Sequence, residues 1–297
     1  MACIGASVFC CTLGCPPPQT TPTISAPPPP PRELSEIVQT IEQNAALLDR
    51  ALWSNNVHVT ARFEDADGKE HVFNLDGNLL YQPPQNLRLD LRPGLGDQVM
   101  QIGSNAQDYW VWIEPELHRM WWGRYRHLHK PCTEKMPVRP DQLLFALGVG
   151  GLPKATDTLY GPARKFGRQR DILYYIRPKA GGGFLIDREY WVDRTPPYQI
   201  RVVILRDRFG QITMSALLDD YRPAWSEGPL VAHTISIIWP QDDGKFTMFM
   251  DSVRGVQASE VRPGSFERPT DGRLPAPVRG NVLQIDADCD QDRPAHD

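Results

Sequence analysis

The chain is predicted to be mainly β: a curved antiparallel sheet of roughly ten to twelve strands, half closed into a barrel around an apolar interior, with two apolar helices against it. Three observations predict this. Apolar and polar residues alternate through much of the stretch from 57 to 253, interrupted by turns rich in Pro, Gly, Asn and Asp. Four of the eight Trp fall between 110 and 122, so one part of the sheet carries aromatic surface that needs cover. Only two segments carry helical spacing, too little to line so much sheet, and closure is the economical way to protect strand edges.

Residues 1–15 are apolar or small throughout and end in Leu13-Gly14-Cys15, the pattern of a lipoprotein-type signal segment whose cysteine becomes a lipidated N-terminus. No Lys or Arg opens it, and Thr12 stands where Leu is commonest; an apolar N-terminus with incidental cysteines, or a misassigned start, is the alternative. Residues 16–31 hold nine prolines, a composition that cannot pack a core and favours extended polyproline II, hence a linker.

The folded domain is expected over residues 32–269. It opens with a helix after Pro31, where Leu34, Ile37, Ile41, Ala45, Leu48 and Leu52 recur at intervals of three or four. Strands follow from Val57 to Phe63 and from His71 to Leu75 around an Asp65-Ala-Asp-Gly68 turn, then from Gly77 to Tyr81. Leu87, Leu89 and Leu91 share one face of the next strand, opposite Arg88, Asp90 and Arg92. Val99 to Ile102, Tyr109 to Ile113 and Arg119 to His127 continue the meander. Asp141 to Leu147 is a short apolar helix, opened by Pro140 and stopped by the glycines from 148 to 151; it is either a movable lid or a fixed plug. Six more strands run between Ile172 and Val253, with Met214 on one apolar face and Ile235, Ile237 and Trp239 on another. Residues 270–297 are polar, with six Asp against three Arg beyond 270, and are expected to be a disordered tail.

Several function classes drop out on composition. Lys plus Arg number 32 against 36 Asp plus Glu, a net charge of −4 with no basic stripe, which gives no electrostatic case for nucleic acid. Cysteines stand at 3, 10, 11, 15, 132 and 289; crowded into the first fifteen residues, they support neither a disulfide framework nor a Cys-rich zinc site. His127, His129 and Cys132 lie close together but lack the further ligands that a metal needs. Asp219-Asp220 and Asp242-Asp243 are adjacent pairs whose side chains diverge on a strand or sit in a turn. No nucleophile elbow, Walker loop or dinucleotide fingerprint is present, and Gly181 to Gly183 lacks the strand-before, helix-after setting of a phosphate loop. No enzymatic activity, cofactor or metal is expected.

The order of these pieces resembles the LolA/LolB family of bacterial lipoprotein carriers. The likeness spans about residues 34 to 269 and is carried by GNLLYQPPQNLRLDL (77–91), IGSNAQDYWVWIEPE (102–116), REYWVDRTPPYQIRVVILRDRFGQI (188–212) and the closing Phe266-x-x-Pro269. It implies a half-barrel of about eleven strands whose concave apolar face, lidded by helices, shields lipoprotein acyl chains in the periplasm. LolA-type carriers place an arginine before the proline of the first bend; Pro83 stands there in this chain, so that latch is absent. LolB-type receptors are themselves lipoproteins and deliver cargo through a leucine on a protruding turn, which Pro93-Gly94-Leu95-Gly96 resembles. With Cys15, this favours a LolB-like receptor: a monomer, anchored in the outer membrane and facing the periplasm, that binds acyl chains or another amphiphile.

The candidate cavity residues are Leu87, Leu89, Leu91, Ile102, Trp110, Trp112, Trp122, Met214, Ile235, Ile237, Trp239 and Met248. Leu143, Leu144 and Leu147 are the lid candidates, Leu95 the membrane-inserting residue and Cys15 the lipidation site. Each Trp of the cluster is equally readable as ordinary core, and Leu95 as an unremarkable exposed turn residue. A structural or interaction lipoprotein of the envelope, with the same fold and no cargo, is the competing function.

Overall fold

The computed structural model describes residues 29–290 except 66, 129, 131, 132, 134, 135 and 180. The chain enters through helix α1 (Leu34–Ala46), whose Ile37 and Ile41 are buried. The helix is shorter than its apolar spacing suggests. Leu52 belongs to the first strand, because the alternation of that strand begins six residues before Val57 and captures it.

Six strands then form a meander: β1 (Ala51–Glu64), β2 (Glu70–Gln82), β3 (Asn86–Arg92), β4 (Met100–Ser104), β5 (Asp108–Ile113) and β6 (Arg119–Arg124). At Gly77 the β2 backbone runs so close to β3 that any side chain would collide with the Asp90 carbonyl. After β6 the chain leaves the sheet, passes through helix α2 (Pro140–Ala146) and re-enters at the opposite edge.

A second meander returns toward the first: β7 (Tyr160–Phe166), β8 (Arg170–Pro178), β9 (Phe184–Asp193), β10 (Ile200–Arg206), β11 (Ile212–Pro223), β12 (Leu230–Trp239) and β13 (Gly244–Met250). Pairing of β13 with β1, Val57 opposite Met250 and Ala61 opposite Phe246, joins the two meanders into one sheet. Two short strands, β14 (Arg254–Val256) on β1 and β15 (Val282–Gln284) on β6, complete it.

The result is a mainly β fold: a single large curved sheet, open rather than closed into a barrel, with fifteen strands among the described residues. That exceeds the eleven or so implied by the resemblance. The additional strands are β7, whose Gly-Pro pair disguises it, and β14 and β15, three residues each and too short to show alternation.

The curvature is visible in what α2 touches. It packs against β4 and β5 in the first meander and against β11 and β12 in the second, strands separated along the sheet by several others. One seven-residue helix can reach all four only if the sheet wraps around it.

Two expectations are corrected here. Residues 271–290 are not a disordered tail: Leu274, Val278, Ile285 and Cys289 are buried, and Leu274 and Val278 cover the outer face of the first meander before the segment pairs with β6 as β15. Leu274 and Val278 meet the outward tryptophans while Ile285 joins the concave core, so the segment finds the apolar area that composition alone said was missing. Cys289 is disulfide-bonded, which the crowding of the other cysteines had argued against.

Candidate functional site

The concave face of the sheet is apolar from one meander to the other. Leu87, Leu89 and Leu91 of β3, Ile102 of β4, Met214 of β11, Ile235 and Ile237 of β12 and Met248 of β13 all belong to one continuous core cluster, each with no exposed surface. Trp239 joins them at the end of β12 and stacks edge-on against Phe246 at 6.5 Å. These nine candidates are brought together from five strands, as a binding face requires.

Trp110, Trp112 and Trp122 are not part of it. They lie on the opposite, convex face, in a separate cluster with Met120, Leu274 and Val278. Strand parity decides the matter. On β5 it is Tyr109, Val111 and Ile113 that point into the concave core, so Trp110 and Trp112 must point out. On β6 the inward residue is Trp121, and Trp122 turns outward beneath the guanidinium of Arg268, 3.8 Å from its ring centroid. Trp110 lies flat over Gly103, where a side chain would strike its ring, and its indole N–H donates to Gln101 at 2.9 Å.

Of the lid candidates, Leu143 and Leu147 are fully inserted into the concave core, and Leu144 packs against it half-buried. Polar contacts that the sequence did not reveal hold α2 there. The Trp239 indole N–H donates to Gln142 Oε1 across the concavity. Arg139 makes a two-pronged ion pair with Asp141 at 2.9 and 3.1 Å, tying together the side chains of the first turn of the helix. On the outer side of the helix, Arg188 of β9 lies 5.1 Å from the Phe145 ring.

The exit from α2 is built from glycines in the left-handed region, Gly148 at φ +68° and Gly151 at φ +74°. It is tethered to α1, where Glu42 accepts the Leu152 N–H at 2.8 Å. Helix α1 is in turn fastened to β12 by Asn44, which donates to the Leu230 carbonyl at 3.0 Å and accepts its N–H at 2.7 Å.

Burial leaves its mark on the titratable groups under this cover. The Tyr109 hydroxyl, without a partner, is pushed up to about 12 by desolvation, as is Tyr81. His233 of β12 is held below the usual imidazole value, chiefly by desolvation; its Nδ1 faces the Met250 carbonyl while its Nε2 has no partner.

Leu95 stands at the tip of the β3–β4 turn and is completely exposed, the turn being closed by the Gly96 N–H to the Pro93 carbonyl at 2.8 Å. Cys15 lies outside the described residues. His127 is engaged by a buried carboxylate, with Nδ1 2.6 Å from Asp286 Oδ2. Against the opposing push of burial, hydrogen bonds from Gln284, His127 and the Arg124 N–H keep the Asp286 carboxyl below the usual range. His129 and Cys132 also lie outside the described residues. Asp219 and Asp220 are engaged separately, by Arg201 and Arg222.

Fold and site define a class: an open, curved antiparallel sheet with a mainly apolar concave face and a short helix lodged across it. No family model matches the chain, and no curated protein matches its sequence. Among solved structures it is similar to a putative outer membrane lipoprotein-sorting protein domain from Vibrio parahaemolyticus, with a TM-score of 0.46, 12% identity and coverage of 78% of this chain and 97% of that one. It is likewise similar to a DUF1329 family protein from Desulfovibrio piger, with a TM-score of 0.47, 8% identity and coverage of 79% and 97%. A third is a LolA superfamily protein from Nitrosomonas europaea, with a TM-score of 0.45, 11% identity and coverage of 78% and 97%.

Proposed function

We propose that this protein is an exported envelope protein that shelters the acyl chains of a lipoprotein or another amphiphile against its concave face, α2 being the lid that gives way. The observation that carries this reading is the face itself, apolar over five strands and occupied by a seven-residue helix. Burying hydrocarbon there needs no covalent step, only apolar surface exchanged for apolar surface. What fastens α2 is one cross-face hydrogen bond from Trp239, the Arg188–Phe145 contact and the side chains of Leu143, Leu144, Ala146 and Leu147. Its glycine exit and the Glu42 tether supply a pivot. On this reading Leu143, Leu144 and Leu147 are surrogates for cargo, filling the space that acyl chains take when the lid lifts.

Export is supported by the disulfide at Cys289, since such bonds persist in oxidising compartments. An anchor at Cys15, a linker of prolines and a membrane-touching Leu95 complete the proposal. A fully exposed leucine on a glycine turn is suited to contact a bilayer surface. Catalysis has no part in it.

The second reading, an envelope interaction protein without cargo, is favoured by one observation: the concave residues are already packed to zero exposure. Uptake of a fluorescent fatty-acid analogue by detergent-free protein separates the two. The carrier reading expects saturable micromolar binding that strengthens in Gln142→Ala, where the lid has lost its cross-face bond. Uptake that Gln142→Ala leaves unchanged, or no uptake by either protein, would leave the interaction reading standing.

A further inference from the structure

The convex face carries a cavity that the concave-face reading does not use. It lies between β1, β2, β3, β14 and the segment from 260 to 265, and its volume is about 490 Å³, within the ~300–1,000 Å³ common for small-molecule sites. Its floor is apolar: Leu80 and Val256 are buried and Trp53 half-buried, in a cluster separate from the concave core.

The charges around that floor are unevenly committed. Asp90 is saturated, accepting from Arg88 at 2.7 Å, Gln98 at 2.9 Å and Gln101 at 2.8 Å. Glu260 is drawn into a capping box by the Gln257 N–H at 2.9 Å. Arg88 is taken up by Asp90 and by the Ser265 carbonyl at 3.4 Å. The guanidinium groups of Arg254 and Arg262, by contrast, make no hydrogen bond or ion pair among the described residues. Both carboxylates are thus occupied, while two cations border the cavity with nothing to hold. Strand pairing sets Arg254 directly opposite Trp53, so a group bound by the guanidinium has its body over the indole.

We infer that this cavity binds an amphiphilic anion, with a carboxylate or phosphate head between Arg254 and Arg262 and an apolar body on Trp53, Leu80 and Val256. Guanidinium forks match both kinds of oxyanion, and a partly desolvated floor strengthens the pairing. A free fatty acid and the phosphate of a lipid share this chemistry. The site stands on the face opposite the lid and does not depend on the carrier reading.

The test is calorimetric titration of the full chain with decanoate, decyl phosphate, decyl maltoside and inorganic phosphate. The two ten-carbon anions are expected to bind at least about tenfold more tightly than the neutral detergent or the tail-less phosphate; their ratio shows whether a fatty acid or a lipid phosphate is the better source. The double variant Arg254→Gln, Arg262→Gln is expected to lose roughly tenfold or more in affinity for both anions. Its melting temperature should not change, nor should the gain in fatty-acid-analogue uptake that Gln142→Ala produces, which reads the concave face alone. Equal anion affinity in the variant and the native chain would overturn the site, as would a neutral detergent that binds as tightly as the anions. Probe uptake that Gln142→Ala does not alter, with anion binding at the arginines intact, would count against the concave-face reading alone.

Discussion

The two meanders of the sheet share a concave core and treat their convex faces in opposite ways. The first, β1 to β6, turns Trp110, Trp112, Met120 and Trp122 outward, and the chain returns after 270 to cover them with Leu274 and Val278. The second, β7 to β13, is laced on the outside by ion pairs: Arg170 and Arg201 on Asp193, Arg206 on Glu189. It leaves Leu217 and Ile238 about half exposed without any cover. An outward aromatic set obliges the chain to supply a third layer, whereas an outward charged set lets one sheet face stand in water.

The largest effect should come from the covered half. Trp110→Ala removes a fully buried indole and leaves Gln101 Oε1 without its donor, and is expected to cost about 3–5 kcal/mol in urea unfolding. A loss under about 1 kcal/mol would mean that the third layer contributes little and that the two halves are alike.

Next comes the contact that crosses the concavity between helix and second half. Trp239→Phe keeps the ring and deletes the N–H that meets Gln142, for an expected loss of about 1–3 kcal/mol, since Gln142 is left buried without its donor. Hydrogen exchange should quicken in α2 and stay unchanged in β1 and β2. Uniform quickening would show that α2 does not move separately.

The third prediction concerns pH. Desolvation lowers the His233 pKa in the folded chain below its ordinary 6.5, so on acidification the unfolded state takes up a proton first. The stability contributed by neutral His233 is therefore full above about pH 6.5 and falls as pH drops from there toward the lowered folded-state value. Melting temperatures from pH 7.5 to 5.5 should show that slope, and His233→Phe should flatten it. An unchanged slope in the variant would place the acid sensitivity elsewhere.

The smallest effect belongs to the bare half. Arg201→Gln breaks contacts with Asp193 and Asp219 at a partly exposed position, and should cost under ~1 kcal/mol, less still in high salt. A cost as large as that of Trp110→Ala would erase the contrast between the two faces.

What was legible in the sequence follows the same divide. Strands such as Leu87-Arg-Leu-Asp-Leu91 announce their inward side because charges occupy the other, and the concave residues of β3, β11, β12 and β13 were recoverable for that reason. Tyr109-Trp-Val-Trp-Ile113 offers two apolar sets, and alternation alone does not say which one faces the core. The cover that resolves it lies some 160 residues downstream in a segment whose polar composition hides its two anchoring side chains, Leu274 and Val278. The α2 helix was visible from its leucines and flanking glycines, but not its attachment, since nothing local pairs Gln142 with Trp239. The convex cavity was invisible for a similar reason: its arginines and its tryptophan come from opposite ends of the domain.

The claim on which the function rests is that hydrocarbon replaces α2 on the concave face. Native mass spectrometry of protein purified without detergent, before and after incubation with a diacylated lipopeptide, tests it most directly. The account predicts a one-to-one complex of protein and lipopeptide, with accelerated exchange confined to α2 and its glycine exit. Protein that keeps its bare mass at micromolar lipopeptide, with α2 equally protected throughout, would contradict it.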